Sequence, residues 1–334
     1  MEQVIDSSGS LENSNDLIFP RLAGFWQRVA AFLIDGLLLG ILGQIIGWSA
    51  SSFWFTVGPY GRFLGLIIVL AYFGLMYSKV SNGQTIGKRL LRIAVRDKNN
   101  KPLSIQRSLL RISILAFPAL LNGWALPIFN NTIINWLVGI IVFGGIVTIA
   151  YTMLFNRGSR QGIHDLVCGT YVVRLRGEGI EAFPIAAKKH WIVSGTLVAT
   201  VIMIITGMLI FRGTVISKIG LSDIVYTQEI LNNDSRFHTA GVQYNTTRII
   251  AGNVTPAGST IRSIIVEVWY KGAPSNQERS RVITDISKVV LENVDNIDQY
   301  DNLRIIVRST YDLGIASGNK KYITSKSIDE WRLE

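Results

Sequence analysis

One cysteine, Cys168, stands among 334 residues. One chain can therefore close no disulfide, and no cysteine-based zinc set is readable. Charge is also scarce: 17% of residues are Asp, Glu, Lys or Arg, against about 25% in ordinary soluble domains. With 49% hydrophobic residues and a mean hydropathy of +0.33, the deficit points to a membrane protein with a soluble part. The first 19 residues, MEQVIDSSGSLENSNDLIF, contain no Lys or Arg and no short apolar core. A cleaved signal peptide needs both, so residues 1–19 read as a flexible polar tail. No internal repeat or low-complexity run is found.

Long apolar runs are what the chain has instead. A spanning helix needs about 20 predominantly apolar residues. Five stretches are predicted to cross: Phe25–Trp48, Phe63–Tyr77, Ile112–Phe129, about Ile133–Phe155, and Trp191–Phe211. The third is interrupted by Pro118, Asn122, Gly123 and Pro127. Such breaks suit either a broken helix around a polar cavity or a poorly apolar helix shielded by its neighbours.

The net charge of +10 is unevenly placed. Residues 1–211 hold 18 Lys/Arg against 9 Asp/Glu, whereas residues 212–334 hold 15 against 14. The segment Lys79–Arg111 carries nine Lys/Arg and one acid, Asp97; Arg157–Lys189 carries six against three acids. The alternate segments, Ser49–Gly61 and Asn130–Thr132, lack Lys and Arg. Basic loops of this kind face the cytoplasm. The pattern predicts a topology with the amino terminus inside and, after five spans, the carboxyl-terminal part outside. It also explains the basic excess without nucleic acid.

Beyond Gly213 the chain changes character. TIRSIIVEVWY (Thr260–Tyr270) places Ile264, Val266, Val268 and Tyr270 on one strand face. Within Glu278–Asn293, Val282, Ile286, Val289, Val290 and Asn293 recur at helical spacing, and LRIIVRS (Leu303–Ser309) reads as a second strand. About 120 residues can hold a core. The expected organisation is a tail (1–19), a membrane module (20–176), a basic connector with a fifth helix (177–212), and a soluble α+β domain (213–334). The fold class is thus an all-α polytopic bundle plus an extracytoplasmic α+β domain.

Three charges need explaining. Arg28 and Asp35 lie seven residues apart in RVAAFLIDGLLLG, on one helix face but roughly 10 Å apart along the axis. They do not satisfy each other directly, so each calls for a partner from another segment. Arg28 can snorkel; Asp35 sits nearly halfway along, where a charge costs about 2.5–3.5 kcal/mol. Gly36, Gly40, Gly43 and Gly47 recur beside Asp35, a spacing that lets helix backbones approach.

RVAAFLIDGLLL, SNGQTIGKRLLRIAVRD with the following KPLSIQRSLLR, and RQGIHDLVCGTYVV together resemble the RDD family of bacterial membrane proteins. The resemblance covers about Pro20–Arg176. It implies a compact helical module in which Arg28, Asp35 and Asp165 are the naming residues. It implies little about activity; a role in ion transport has been suggested for some members. No family is recognised for Gly213–Glu334.

Two readings of Arg28, Asp35 and Asp165 stand: a structural network locking helix ends, or an ion path with Asp35 titrating. Arg160 and His164 are supporting candidates. In SNGQTIGKRL a phosphate loop fails on spacing, since three residues rather than four separate Gly83 from Gly87, and Arg89 replaces Ser/Thr. Lys88, Arg89 and Arg92 suit anionic lipid head groups or a topogenic role. His190 and His238 have no metal-like neighbours, and Cys168 with His164 is a weak nucleophile pair. No catalytic set, cofactor or metal is expected. The partners expected are membrane lipids, a protein through residues 213–334, or a second copy of the chain. The function read from this is a scaffold or assembly protein, with a Na+/H+-type transporter as alternative.

Overall fold

A computed structural model describes residues 19–124, 131–176, 179–180, 182–185, 187–219, 222–248 and 260–333. The predicted tail (1–19) therefore lies almost wholly outside the described residues, as does Pro127. The chain runs β1 (Phe19–Pro20), α1 (Phe25–Ser49), α2 (Ser51–Val57), α3 (Arg62–Met76), α4 (Ile86–Leu90), β2 (Ile93–Asp97), α5 (Ile105–Leu121), α6 (Thr132–Gly139), α7 (Gly145–Phe155), α8 (Ile163–Cys168), β3 (Thr170–Arg174), β4 (Gly179–Ile180) and α9 (Lys188–Ile219). Then follow α10 (Ser222–Asn233), β5 (Phe237–Arg248), β6 (Thr260–Tyr270), α11 (Asn276–Asn293), β7 (Asn302–Asp312), β8 (Ser317–Ser327) and α12 (Ile328–Arg332).

Among the described residues, four helical runs are long and apolar enough to cross a membrane: 25–49, 51–76, 132–155 and 188–211. The second is longer than its apolar centre suggests. Ser49–Gly61, read as a loop, is helical over α2, and a 3-10 turn at Gly58–Gly61 joins it to α3. The third run contains a π-helical turn, Ile140–Gly144, between α6 and α7.

The interrupted stretch behaves differently. It yields α5, which begins earlier than its apolar part and is not one of the four long apolar runs. Ser104 caps it, accepting a hydrogen bond from the Arg107 amide at 3.3 Å, as short hydroxyl side chains do at helix starts. Pro118 lies inside α5, buried beside Gly145 of α7. α5 runs antiparallel to α3: its last turn meets the first residue of α3, where Arg62 Nη1 donates to the Leu120 carbonyl at 2.6 Å and the Asn122 carbonyl at 2.9 Å.

The two basic segments meet each other. β2 pairs antiparallel with β3, Ile93 opposite Arg174 and Asp97 opposite Thr170. Ile93, Ala94, Val95 and Val173 are fully buried there. Both basic segments therefore lie at one end of the bundle, as the charge pattern requires.

At the other end sits the carboxyl-terminal part, a four-stranded sheet in the order β5-β6-β7-β8. β6 and β7 are parallel; the outer pairings are antiparallel. A parallel pair needs a crossover, and α11 supplies it. Its start is a reciprocal capping box: Ser275 Oγ accepts from the Glu278 amide (3.3 Å) and Glu278 Oε2 from the Ser275 amide (2.8 Å). Val282, Ile286 and Val290 of α11 pack on Ile264, Val266, Val268, Ile305 and Val307 of the sheet. β5, β8, α10 and α12 complete the domain.

The glycine seam of α1 has an unforeseen partner. The turn between β7 and β8, Leu313–Ala316, enters the far end of the bundle between α1 and α3. A Cβ on Gly43 would lie 2.8 Å from Ala316 Cβ and 2.9 Å from Ile315 Cγ1. One on Gly47 would strike the Tyr311 ring, and one on Gly65 the Leu313 carbonyl. Gly40 faces the Ile315 carbonyl, and Gly36 has nothing within 4 Å. The seam therefore receives a β-hairpin and not a second helix. Small residues permit any close backbone approach, and spacing alone does not say whose.

Candidate functional site

The site is built at the basic end around Asp165. α8 starts after Gly162, and Asp165 reaches back to the Gly162 amide at 3.4 Å. Its Oδ1 accepts from Arg111 Nε (2.9 Å), Arg111 Nη2 (2.8 Å) and Thr170 Oγ (2.8 Å). Its Oδ2 accepts from Arg28 Nη2 and faces His164 Nε2 at 3.4 Å. Arg28 also donates through Nη1 to the Arg160 carbonyl, and Arg160 donates to the Leu22 carbonyl at 3.2 Å. One carboxylate thus ties together α1, α5, α8 and β3. Arg28, Arg111, His164 and Asp165 are all buried.

Bidentate or paired guanidinium contacts of this kind hold a carboxylate ionised. Burial alone would raise the Asp165 carboxyl, but Arg111, His164 and Arg28 outweigh it and keep it well below the usual carboxylate range. Burial pushes the His164 imidazole down to about 3, despite the neighbouring Asp165. His164 is thus neutral in the folded protein near pH 7.

A histidine with an ordinary value near 6.5 binds a proton in the unfolded chain between pH 6.5 and 3 and none in the native one. Stability contributed by its neutral form is full above pH 6.5 and declines as pH falls towards 3. At pH 5 the loss is about 2 kcal/mol at 1.36 kcal/mol per unit. His164→Gln is expected to flatten the fall in thermal midpoint between pH 6.5 and 5. The Asp165 contribution is lost only at lower pH. An unchanged slope in the variant contradicts this assignment.

Asp35 does not join this cluster. Its Oδ1 accepts from Tyr72 Oη (2.7 Å) and the Gly87 amide (2.8 Å), and its Oδ2 from Thr85 Oγ (2.6 Å). Thr85 is also the N-cap of α4, accepting from the Lys88 amide at 3.2 Å. Asp35 is therefore the anchor that pins the start of α4 to the middle of α1. Gly87 makes the approach possible: any Cβ there would collide with the Ala31 carbonyl. This is the structural use of the GQTIGK glycine. Asp35→Asn leaves one acceptor oxygen for three donors. An expected cost of about 1–3 kcal/mol should appear as a lower thermal midpoint, and no change would contradict the anchor role.

The basic-loop residues separate. Arg89 and Arg92 are exposed, and Arg89 donates to Ser81 Oγ at 3.1 Å. Lys88 is not on the surface: it is 4% exposed, with Nζ 3.5 Å from Tyr77 Oη and 4.8 Å from the ring centroid. A surface lipid contact is therefore closed to Lys88, because the short helix α4 turns it inward against α3. Burial, with the Arg111 guanidinium next, pushes its ammonium down to about 7. Cys168 is buried, and burial raises its thiol. His164 is committed to Asp165, so these two make no nucleophile pair.

Arg111, Thr170, Tyr72 and Thr85 were missed by sequence reasoning. For Arg111 a signal existed: a lone cation among apolar residues in SLLRISIL. The hydroxyls carry no such signal.

Residues 22–169 match the model of the RDD family. The RDD segment contains Arg28, Asp35, Arg111 and Asp165 and ends before the sheet domain. Among similar proteins are the uncharacterized protein YxaI and the uncharacterized protein YckC, both of Bacillus subtilis (strain 168). YxaI is 25% identical over 172 residues, covering 45% of this chain and 96% of that protein. YckC is 25% identical over 150 residues, covering 45% of this chain and 83% of that protein. No solved structure matches.

Proposed function

We propose that this RDD-family membrane protein is a scaffold, in which the RDD segment holds the sheet domain against the outer face of the cell membrane for a protein partner. In this reading the chain crosses five times, with α5 and the 132–155 run forming the middle pair. The basic end lies in the cytoplasm, in line with its Lys/Arg excess.

One observation carries the proposal: the hairpin turn Leu313–Ala316 is wedged among helix ends. Leu313 is fully buried, and Arg62 Nε donates to Asp312 Oδ2 at 2.7 Å beside it. Such a joint fixes the orientation of the sheet domain, which a flexible tether would not. A fixed platform serves assembly. Transport through Asp35 has less support: its carboxylate is fully engaged and lines neither of the two cavities that flank it.

Liposomes holding the full chain should pass no Na+, K+ or protons in any gradient. Flux that Asp35→Asn abolishes, in protein that remains folded, replaces the scaffold reading with transport. For topology, Lys98→Cys and Lys321→Cys in a Cys168→Ala background should label from inside and outside respectively. In cells, a photo-crosslinker at Lys321 should give one discrete adduct, lost when the hairpin is undocked.

A further inference from the structure

Beside the Asp165 cluster a cavity of about 350 Å³ opens between α1 and α7. Its inner end carries Arg28, Lys88 and Arg111, all buried. Its outer walls are hydrocarbon: Val29 and Phe32 of α1 face Ile149, Met153 and Leu154 of α7. Phe32 and Leu154 are each nearly half exposed, 46% and 49%. The opening therefore lies on the side of the bundle that an apolar solvent covers.

The cations at the inner end are under-matched. Two carboxylates, Asp35 and Asp165, stand against three cationic side chains. Asp165 is shared by both arginines, and Asp35 is taken by Tyr72, Thr85 and Gly87. Arg111 Nη1 is buried with no hydrogen-bond partner among the described residues. Lys88 Nζ has only the long contact to Tyr77, and no carboxylate of the described residues lies within ion-pair distance of it. A buried donor without an acceptor is costly, more so when charged, and a buried unpaired cation is expensive. Burial first, and the Arg111 guanidinium second, lower the Lys88 ammonium.

A second groove, about 530 Å³, shares Phe25, Arg28, Met153 and Leu154 with the cavity and continues past Arg157, Arg160 and Arg174. So a hydrocarbon wall, a buried donor set and a basic outlet follow one another along a single cleft. A small soluble anion would use the donors but not the walls. An amphiphile uses all three.

We propose that this cleft binds one anionic membrane phospholipid, its phosphate accepting from Arg111 Nη1 and Lys88 Nζ and its chains leaving past Phe32 and Leu154. The rest of the head group lies toward the arginine groove. This differs from contact with the exposed Arg89 and Arg92, and it is independent of the scaffold reading.

The test is native mass spectrometry of the full chain after exchange into equimolar phosphatidylglycerol and phosphatidylcholine. One phosphatidylglycerol per chain should be retained, at least ten-fold over phosphatidylcholine. Leu154→Trp, which fills the apolar wall outside the charged cluster, should cut retention ten-fold or more, and so should Lys88→Met. The double variant Arg89→Gln/Arg92→Gln should change it less than two-fold. Gel filtration checks folding, and Leu154→Trp decides if Lys88→Met fails to fold. Equal retention of both lipids, or retention unmoved by Leu154→Trp, overturns the proposal. So does displacement of phosphatidylglycerol by inorganic phosphate, which would mark a soluble-anion site.

Discussion

Asp165→Ala is expected to lose most of the folded protein, with about 3–5 kcal/mol of destabilisation. The figure is that for removing one partner of a buried ion pair, and here two guanidinium groups lose it at once. Arg28 and Arg111 are both buried, and neither has another carboxylate within reach among the described residues. Thr170 Oγ and the Gly162 amide lose an acceptor as well. Asp165→Asn keeps the shape but not the charge, so it should fare little better. The mechanism can be separated from a mere hole. Arg28→Met/Arg111→Met/Asp165→Leu removes all three charges, and apolar replacement of a buried triad is often tolerated. It should recover part of the thermal midpoint lost by Asp165→Ala. The measurement is a melting curve in detergent read by gel filtration. An Asp165→Ala midpoint within a degree or two of the parent would dissolve the claim that this network holds the RDD segment together.

Part of that network is readable in the residues. Arg28 at a helix start and Asp165 just after the 132–155 run fall at one end once the loop charges are read. Arg111 is not readable in the same way, because its role depends on α5 starting seven residues before the apolar stretch. Asp35 illustrates the opposite error. Its shared helix face with Arg28 suggests a common constellation, yet α4 folds between them and takes Asp35 for its own start. Lys88 looks like a loop cation because linear sequence does not reveal that α4 turns it inward. In the sheet domain, β6 and β7 are central and apolar, so their alternation shows. β5 (FHTAGVQYNTTR) and β8 (SGNKKYITSKS) are edges, and edge strands carry polar and charged residues that discourage further pairing. The same chemistry that protects them hides them from periodicity.

Gly65→Val is expected to undock the hairpin from the bundle. The position has no room: a Cβ would coincide with the Leu313 carbonyl, and the backbone of Gly314 follows at 3.4 Å. Backbone atoms cannot swing aside as a flexible side-chain end can, so either α3 or the hairpin must move. The hairpin is the weaker side. Its turn is held by Leu313 N–H to the Ala316 carbonyl (2.8 Å) and Gly314 N–H to Asp312 Oδ1 (2.7 Å), with Gly314 at φ +72. It can therefore withdraw as a unit without breaking β7–β8 pairing. Withdrawal exposes Leu313, now fully buried, and separates Arg62 from Asp312. Fully exposing a leucine costs about 1.5–3 kcal/mol, which opposes withdrawal, but a Cβ on top of a backbone carbonyl cannot be accommodated in the docked state at all, so that state should become the minor one. A Leu313→Cys reporter in a Cys168→Ala background reads this directly. It should react slowly with a maleimide in the parent and at least ten-fold faster with Gly65→Val. Gly36→Val, where nothing lies within 4 Å, is the matched control and should leave the rate unchanged. Equal rates in all three proteins would mean that the glycines of α1 and α3 do not seat the hairpin, and the fixed platform on which the scaffold reading rests would be gone.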